Sequence, residues 1–112
     1  MTQYLISFNQ QWVGDHTAEW FASRGPLARA VVADMRDAGV LVFAEGLEEE
    51  PELAIRFEPN DGSPTAEAGP FAGEFMGGLT IINVDTLDEA KVWAGRIAEA
   101  CGWTQELRPF KR

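Results

Sequence analysis

The stretch LTIINVDTLDEAKVWAGRIAEACGWTQELR, residues 79–108, decides the fold. Its first six residues, 79–84, are apolar and β-branched, which predicts a strand. The threonine and glutamate of TLDE, residues 86–89, have the spacing of a capping box, in which each side chain satisfies a main-chain amide at the start of a helix. The helix should run to about Cys101, where the following glycine stops it, before a last strand over residues 103–108. This stretch therefore predicts a strand, a helix and a strand in succession.

The amino-terminal part of the chain predicts a matching strand and helix. Tyr4, Ile6 and Phe8 alternate with their neighbours, which is typical of a first strand with one buried face. A long connection is expected over residues 9–22. The first helix should follow at about residues 24–38.

Local signals set the limits and the apolar faces of the helices. Ser23 can cap the first helix, Pro26 suits its first turn, and Gly39 can stop it. The apolar stripe of this helix is formed by Leu27, Val31, Met35 and Ala38. That of the second helix is formed by Leu87, Ala90, Ala94, Ile97 and Cys101.

Between the helices the sequence predicts a hairpin followed by a loop. Residues 40–47 are apolar and β-branched, and residues 53–58 alternate, so the two are expected to pair across a charged turn. Residues 61–64, DGSP, indicate another turn. The glycine-rich run 68–78 favours a loop, with a short extra strand at residues 65–67.

The order of these elements predicts an α+β protein, one domain over residues 1–112, with a βαββαβ ferredoxin-like fold. Such a domain has a four-stranded antiparallel sheet with both helices on one face. The bare face is an apolar patch that a second copy can bury, which predicts a homodimer of the dimeric α/β-barrel type. A small-molecule pocket is expected beside the helices or at the dimer interface.

Charge and hydropathy exclude several classes of partner. The chain carries 18 acidic and 9 basic residues, a net charge of −9, so its average field repels a phosphate backbone and nucleic acid is not an expected partner. No stretch is long and apolar enough for a membrane span, and the first residues lack the pattern of a signal peptide. The cytoplasm is the expected location.

The single cysteine and single histidine limit covalent and metal chemistry. Cys101 has no partner for an internal disulfide and, on the apolar side of its helix, is interpreted as a small buried side chain. One cysteine and one histidine make no zinc set. No cofactor is predicted, and a magnesium or calcium ion held by carboxylates stays open.

Two residues are candidates for proton transfer. Asp34 projects toward the apolar stripe of the first helix, away from Arg29 and Arg36, so it should be paired, hydrogen-bonded, protonated or at a pocket wall. The alternative is a carboxylate at the helix edge that reaches solvent or an arginine. His16 is the one imidazole and can serve as a general base, with Asp34 as its orienting partner, or it is a solvated loop residue.

Glu45 and Arg56 are candidates for ligand binding. They are expected on neighbouring strands, where a carboxylate and a guanidinium can orient an anionic ligand or satisfy each other. By alternation Arg56 faces away from the apolar residues of its strand.

Five short motifs indicate a family. They are AEGL at 44–47, EAGPFA at 67–72, GG at 77–78, VDTLDEA at 84–90 and LRP at 107–109. In this order and spacing they resemble the YCII-related, or DGPF-domain, proteins.

The resemblance implies a ferredoxin-like dimer related in shape to muconolactone-isomerase-like proteins. It also implies a histidine and aspartate pair as an active centre in some members, a likeness to dehydrochlorinases in others, and a genetic association with sigma factors. Where the family motif has Asp-Gly-Pro-Phe, this chain has Ala68 in place of the aspartate. If that aspartate only makes a turn the change matters little, and if it is catalytic the chemistry is lost.

Three functions therefore stand side by side. The first is an enzyme of proton-transfer chemistry, an isomerisation or elimination, with His16 and Asp34 as its catalytic pair. The second is a non-catalytic dimer that binds a small molecule. The third is a structural partner of a transcription factor.

Overall fold

A four-stranded antiparallel sheet under two helices forms the body of the protein. The computed structural model describes residues 1–69 and 73–111. The strands are β1 (Thr2–Asn9), β2 (Leu41–Gly46), β3 (Ile55–Glu58), β4 (Thr65–Ala68), β5 (Met76–Val84) and β6 (Glu106–Pro109). The helices are α1 (Ala18–Asp37) and α2 (Leu87–Cys101), and short 3-10 turns lie at Gln10–Val13 and Pro51–Leu53.

The sheet has the strand order β2-β5-β1-β6, and every neighbouring pair is antiparallel. Tyr4 lies opposite Ile82, and Ile6 lies opposite Thr80, so these side chains share one face. All four are buried, beneath Met35 of α1 and Ile97 of α2. Both helices therefore cover the same face, and the predicted α+β, ferredoxin-like fold is confirmed.

The helix α1 begins earlier than its sequence signals indicated. Thr17 is the cap, and its hydroxyl accepts a hydrogen bond from the Trp20 amide at 3.1 Å. Ser23 lies inside the helix, where its hydroxyl donates to the carbonyl of Trp20 at 2.5 Å. Pro26 is also inside, two turns after the start. The expected connection over residues 9–22 is too long: residues 10–17 do connect β1 to α1, but residues 18–22 are helical. Both Thr17 and Ser23 have the chemistry of a cap, and only packing selects between them.

The apolar stripe predicted for α1 is correct in its centre alone. Val31 and Met35 are buried, whereas Leu27 is 49% exposed and Ala38 lies exposed at the C-cap. In α2, Ala90 and Ile97 are buried but Leu87 is 47% exposed. The ends of the α1 stripe and the first residue of the α2 stripe are therefore exposed, whereas Ala94 and Cys101 of α2 are partly buried against the core.

The local signals of α2 are confirmed. The Thr86 hydroxyl accepts a hydrogen bond from the Glu89 amide at 3.2 Å. Gly102 ends the helix in the left-handed region at φ +64°, where a side chain would be strained. The last strand begins at Glu106, three residues later than expected.

The predicted hairpin between residues 40–47 and 53–58 is wrong. β2 pairs with β5, and β3 pairs instead with β4 in a separate two-stranded hairpin. The extra strand expected at residues 65–67 is confirmed as β4. Alternation identifies a strand but not its partner, because pairing depends on residues far away in sequence.

The glycine-rich run 68–78 is only partly a loop, since β5 already begins at Met76. Gly69 has φ +93°, and its amide donates to the carbonyl of Ala54 at 2.6 Å. Ala68, at the position of the family's aspartate, ends β4 and is exposed. Pro70 and Phe71 of the same motif lie outside the described residues.

The hairpin β3–β4 makes the molecule extended. The radius of gyration is 16.0 Å, compared with about 13 Å for a compact chain of this length. Within the described residues the hairpin has only sparse contacts with other helices and strands. Leu53, Ile55 and Phe57 are 60%, 60% and 64% exposed, so its apolar side lies open.

Candidate functional site

A pocket of about 500 Å³ lies between the helices and the sheet, at the end of the sheet where β1 and β2 finish. Its apolar wall is formed by Phe8, Ala28, Val32, Ala44 and Ile97. These residues come from β1, β2 and both helices, so the pocket depends on the whole two-layer arrangement. A volume of this size accommodates a compact organic molecule.

Small residues keep this space open. A Cβ placed on Gly78 would lie 2.7 Å from the ring of Phe8, and one on Gly77 would lie 2.6 Å from it. The Phe8 ring therefore lies directly on the main chain of β5. Above it, Ala28 and Ala44 present only methyl groups, which leave the gap between the layers unfilled.

Polar groups complete the pocket. They are Arg29 and Arg36 of α1, Thr80 of β5, Cys101 at the end of α2 and Gln105 before β6. Thr80 is 7% exposed, so its hydroxyl is well inside the protein. A few polar groups on an apolar wall are the usual composition of a ligand site, where they set the orientation of the bound molecule.

Cys101 lies in the pocket as a thiol. Burial raises its pKa above the usual value for cysteine, and the charge of Arg24 acts in the opposite direction with a smaller effect. The thiolate is the nucleophilic form, so a raised pKa disfavours nucleophilic chemistry near neutral pH. This agrees with the interpretation of Cys101 as a small apolar side chain and not a nucleophile, but the residue is only partly buried.

His16 lies beside the start of α1 and outside the lining of this pocket. Its Nε2 is 3.0 Å from the carbonyl oxygen of Val13, and its ring is stacked on Trp20 with 3.5 Å between centroids. The side chain is exposed. Its surroundings are thus one carbonyl and an aromatic face.

Asp34 lies far from His16, near the other end of α1. Seventeen residues separate it from Thr17, which corresponds to about 25 Å along a helix. Its carboxylate forms an ion pair with Arg96 of α2, and its side chain is 53% exposed. The structure therefore does not bring His16 and Asp34 together in one chain, and Asp34 takes the arrangement of a helix-edge carboxylate that reaches an arginine.

Glu45 and Arg56 are also apart, because β2 and β3 do not pair. Arg56 forms an ion pair with Glu67 across the hairpin β3–β4 and lies 3.8 Å from Glu58. Glu45 lies at the pocket wall on β2. Since Ala44 shares the helix side with Thr80, alternation directs the Glu45 carboxylate to the opposite face of the sheet. The expectation of neighbouring strands is wrong, and a ligand role for either residue stays a prediction.

A row of aromatic rings runs from His16 to the pocket. Trp20 contacts Phe21 at 5.2 Å, Phe21 contacts Trp103 at 6.2 Å, and Trp103 contacts Phe8 at 4.6 Å between centroids. The Trp103 indole donates a hydrogen bond to the carbonyl of Asn9 at 2.9 Å. The row joins the start of α1 to the carboxyl end of β1, where Phe8 lines the pocket.

Sequence reasoning missed Arg29 and Arg36 as pocket residues. Their predicted direction, opposite to Asp34, agrees with the structure, because Arg29 and Arg36 line this pocket whereas Asp34 lines a separate groove between α1 and α2. The detectable signal was their spacing of seven residues, which places both on the face of α1 that carries Ala28 and Val32.

Within the described ranges, no helix is long and apolar enough to cross a membrane. Within the same ranges, no three histidine, cysteine, aspartate or glutamate side chains come together as a possible metal site.

The fold and the pocket together define a ferredoxin-like α+β protein with a cavity between its sheet and its helices. The family model of the YCII-related domain matches residues 17–106. The chain therefore belongs to the YCII-related family, as its motifs indicated. A search among curated proteins found no match.

Proposed function

We propose that this member of the YCII-related family is a homodimer that binds a small organic molecule in the pocket between α1, α2 and the sheet. The observation that carries the proposal is the pocket itself, about 500 Å³ with an apolar wall and a few polar groups. The pocket is partly open to solvent. An apolar body placed against its wall would exchange contact with water for van der Waals contacts with the protein.

The proposed dimer rests on two apolar surfaces that one chain leaves open. On the uncovered face of the sheet, Leu5 lies opposite Ile81, and Phe43 at 51% exposure lies beside them. The hairpin β3–β4 adds Ile55 and Phe57. An isolated two-stranded hairpin is only marginally stable in water, so a surface that covers it would contribute to its stability. A second copy offers such surfaces with the symmetry common among oligomers.

Dye binding tests the pocket. The neutral dye N-phenylnaphthylamine should fluoresce on entering the apolar space and should protect Cys101, the one cysteine, from alkylation. Ala28→Leu fills part of the pocket and should weaken binding. Ala30→Leu is the matched control, since Ala30 lies on the same helix but faces a different groove. Absence of Cys101 protection, or equal binding by both variants, would contradict the proposal.

Proton-transfer catalysis by His16 is a second candidate, favoured by the row of rings that links His16 to Phe8. Histidine is the side chain that most often acts as a general acid or base in enzymes. If His16 is the base, His16→Gln should abolish turnover of any substrate found. Asp34→Asn should leave turnover unchanged, because Asp34 lies at the other end of α1 and is paired with Arg96. Loss of turnover in Asp34→Asn would instead support a catalytic pair formed between subunits.

The family's association with sigma-factor genes suggests a regulatory version of the binding function. In that version the dimer would bind a transcription factor differently with and without a molecule in the pocket. A pull-down with and without dye in the pocket tests it, and recovery of no sigma factor in either state would count against it.

A further inference from the structure

We propose that the molecule bound in the pocket is an organic anion, with an apolar body against Phe8, Val32 and Ile97 and a carboxylate-like group held by Arg29 and Arg36. The inference rests on the proposed binding function and adds the chemical class of the ligand. It follows from the charges that surround the pocket.

The charge at the pocket is positive although the protein is acidic. The chain has a net charge of −9, yet two of the three charged residues lining the pocket are Arg29 and Arg36. The third is Glu45, whose carboxylate is directed to the other face of the sheet by strand alternation. A ligand in the pocket therefore meets guanidinium groups on the side of α1.

Neither arginine is neutralised by the described part of the chain. Arg56 and Arg96 form ion pairs with carboxylates, whereas Arg29 and Arg36 form none among residues 1–69 and 73–111. On α1 itself, the positions three and four residues from Arg29 or Arg36 hold only glycine, proline, valine or alanine. No acidic residue is therefore placed to pair with either by the helical geometry.

The absence of a side chain at Gly25 leaves the space that the guanidinium of Arg29 occupies. A Cβ on Gly25 would lie 3.1 Å from Nη1 of Arg29, so the guanidinium rests against the bare main chain one turn earlier. A larger residue at position 25 would displace it. A planar guanidinium is suited to a carboxylate because it offers two parallel donors.

A third arginine, Arg24, adds to the positive field near Cys101. The Nε of Arg24 is buried and has no hydrogen-bond partner among the described residues. Its guanidinium lies over the ring of Trp20 at 4.9 Å. Its charge is also felt at the Cys101 thiol, which lines the pocket. The guanidinium donors of Arg29 and Arg36 and the charge of Arg24 therefore all favour a negatively charged ligand.

Two dyes with the same aromatic body separate charge from apolarity. Anilinonaphthalenesulfonate is N-phenylnaphthylamine with an added sulfonate, which stands in for the carboxylate. The native protein should bind the anionic dye more tightly than the neutral one, and added salt should reduce that preference. Protection of Cys101 from alkylation confirms for each dye that it occupies the pocket.

Arginine variants test which groups hold the anion. Arg29→Gln and Arg36→Gln should each weaken binding of the anionic dye about tenfold, the effect of losing one charge-assisted hydrogen bond. Binding of the neutral dye should not change. Lys91→Gln removes the same charge from an exposed site outside this pocket and should affect neither dye. Arg36→Lys keeps the positive charge and should bind the anionic dye more tightly than Arg36→Gln but less tightly than the native protein.

The outcomes are distinct. Equal affinity for the two dyes, or an unchanged ratio in both arginine variants, would overturn the anion assignment while leaving the pocket in place. If neither dye protects Cys101, the pocket itself is not a binding site and the assignment is overturned with it.

Discussion

At the scale of single residues, Gly78 illustrates how a missing side chain shapes the site. A Cβ on Gly78 would lie only 2.7 Å from the Phe8 ring and 3.2 Å from the carbonyl oxygen of Glu45. The main chain of β5 blocks the Phe8 ring on one side, and on the other side the ring could move only into the pocket. The glycine therefore determines the position of one pocket wall.

We expect Gly78→Ala to lower the free energy of unfolding by about 1–3 kcal/mol, the usual cost of overpacking. The matched control is Gly95→Ala in α2, where a Cβ would meet nothing within 4 Å. That change should raise stability by up to about 1 kcal/mol, because alanine is the better helix former. Urea unfolding measures both. Equal effects of the two substitutions would contradict the close contact with Phe8.

Cys101 makes stability depend on pH in the alkaline range. Burial raises the pKa of its thiol in the folded chain, whereas an unfolded cysteine has a pKa of about 8.5. Above that value the unfolded chain loses the proton first, so the free energy of unfolding should fall as pH rises. Below that pKa, the contribution of the Cys101 thiol to the free energy of unfolding is fully present.

Unfolding experiments at about pH 7 and pH 10, on either side of the ordinary thiol pKa, test this effect. Cys101→Ala serves as the reference, because it retains every other titrating group. The stability advantage of the native protein over the variant should shrink at the higher pH. A constant difference would show that the thiol titrates with its ordinary pKa.

At the scale of elements, α1 shows how two equivalent signals compete. Thr17 and Ser23 both carry a hydroxyl that can cap a helix. Only the Thr17 hydroxyl accepts a hydrogen bond from a main-chain amide, while that of Ser23 donates back to a carbonyl. The earlier start brings Trp20 into the helix and allows it to contact Gly102 at the end of α2.

Thr17→Ala should therefore destabilise the protein by about 1 kcal/mol through loss of the cap. Ser23→Ala should change stability by less than about 0.5 kcal/mol, as expected for a residue inside a helix with no capping role. Thermal or urea unfolding of the two variants provides the comparison. A larger effect at Ser23 would indicate that the helix begins there.

At the scale of the whole molecule, a single chain leaves a large apolar surface exposed to solvent. The open sheet face and the hairpin β3–β4 both carry large apolar side chains, and the molecule measures 45 × 41 × 19 Å. Such surface is characteristic of an interface in small proteins. In the proposed dimer, the second copy would cover the apolar side of the extended hairpin β3–β4.

Phe57→Ser should weaken the dimer, because Phe57 is 64% exposed in one chain and would be covered in the assembly. Val92→Ser is the control, since Val92 is 61% exposed on α2, away from both apolar surfaces. Sedimentation equilibrium should show a higher dissociation constant for Phe57→Ser alone. A native protein that stays monomeric at high concentration would exclude the dimer.

The sequence by itself determined the features that depend on near neighbours. The alternation in β1, the cap at Thr86 and the glycine stop at Gly102 involve residues within one turn or a few positions of each other. Each of these signals can therefore be read from a short segment, although the strand and the helix gain most of their stability from packing in the folded chain. The order of these features was sufficient for the ferredoxin-like fold, and the five motifs were sufficient for the family.

Only the tertiary structure decided which signals are used and what they build. The pairing of β2 with β5, the choice of Thr17 over Ser23 and the meeting of Arg29 with a pocket all depend on residues distant along the chain. Packing between segments distant along the chain decides each of them, and a linear pattern does not contain that packing. For this reason the sequence predicted a pocket beside the helices, while the side chains that line it emerged from the fold.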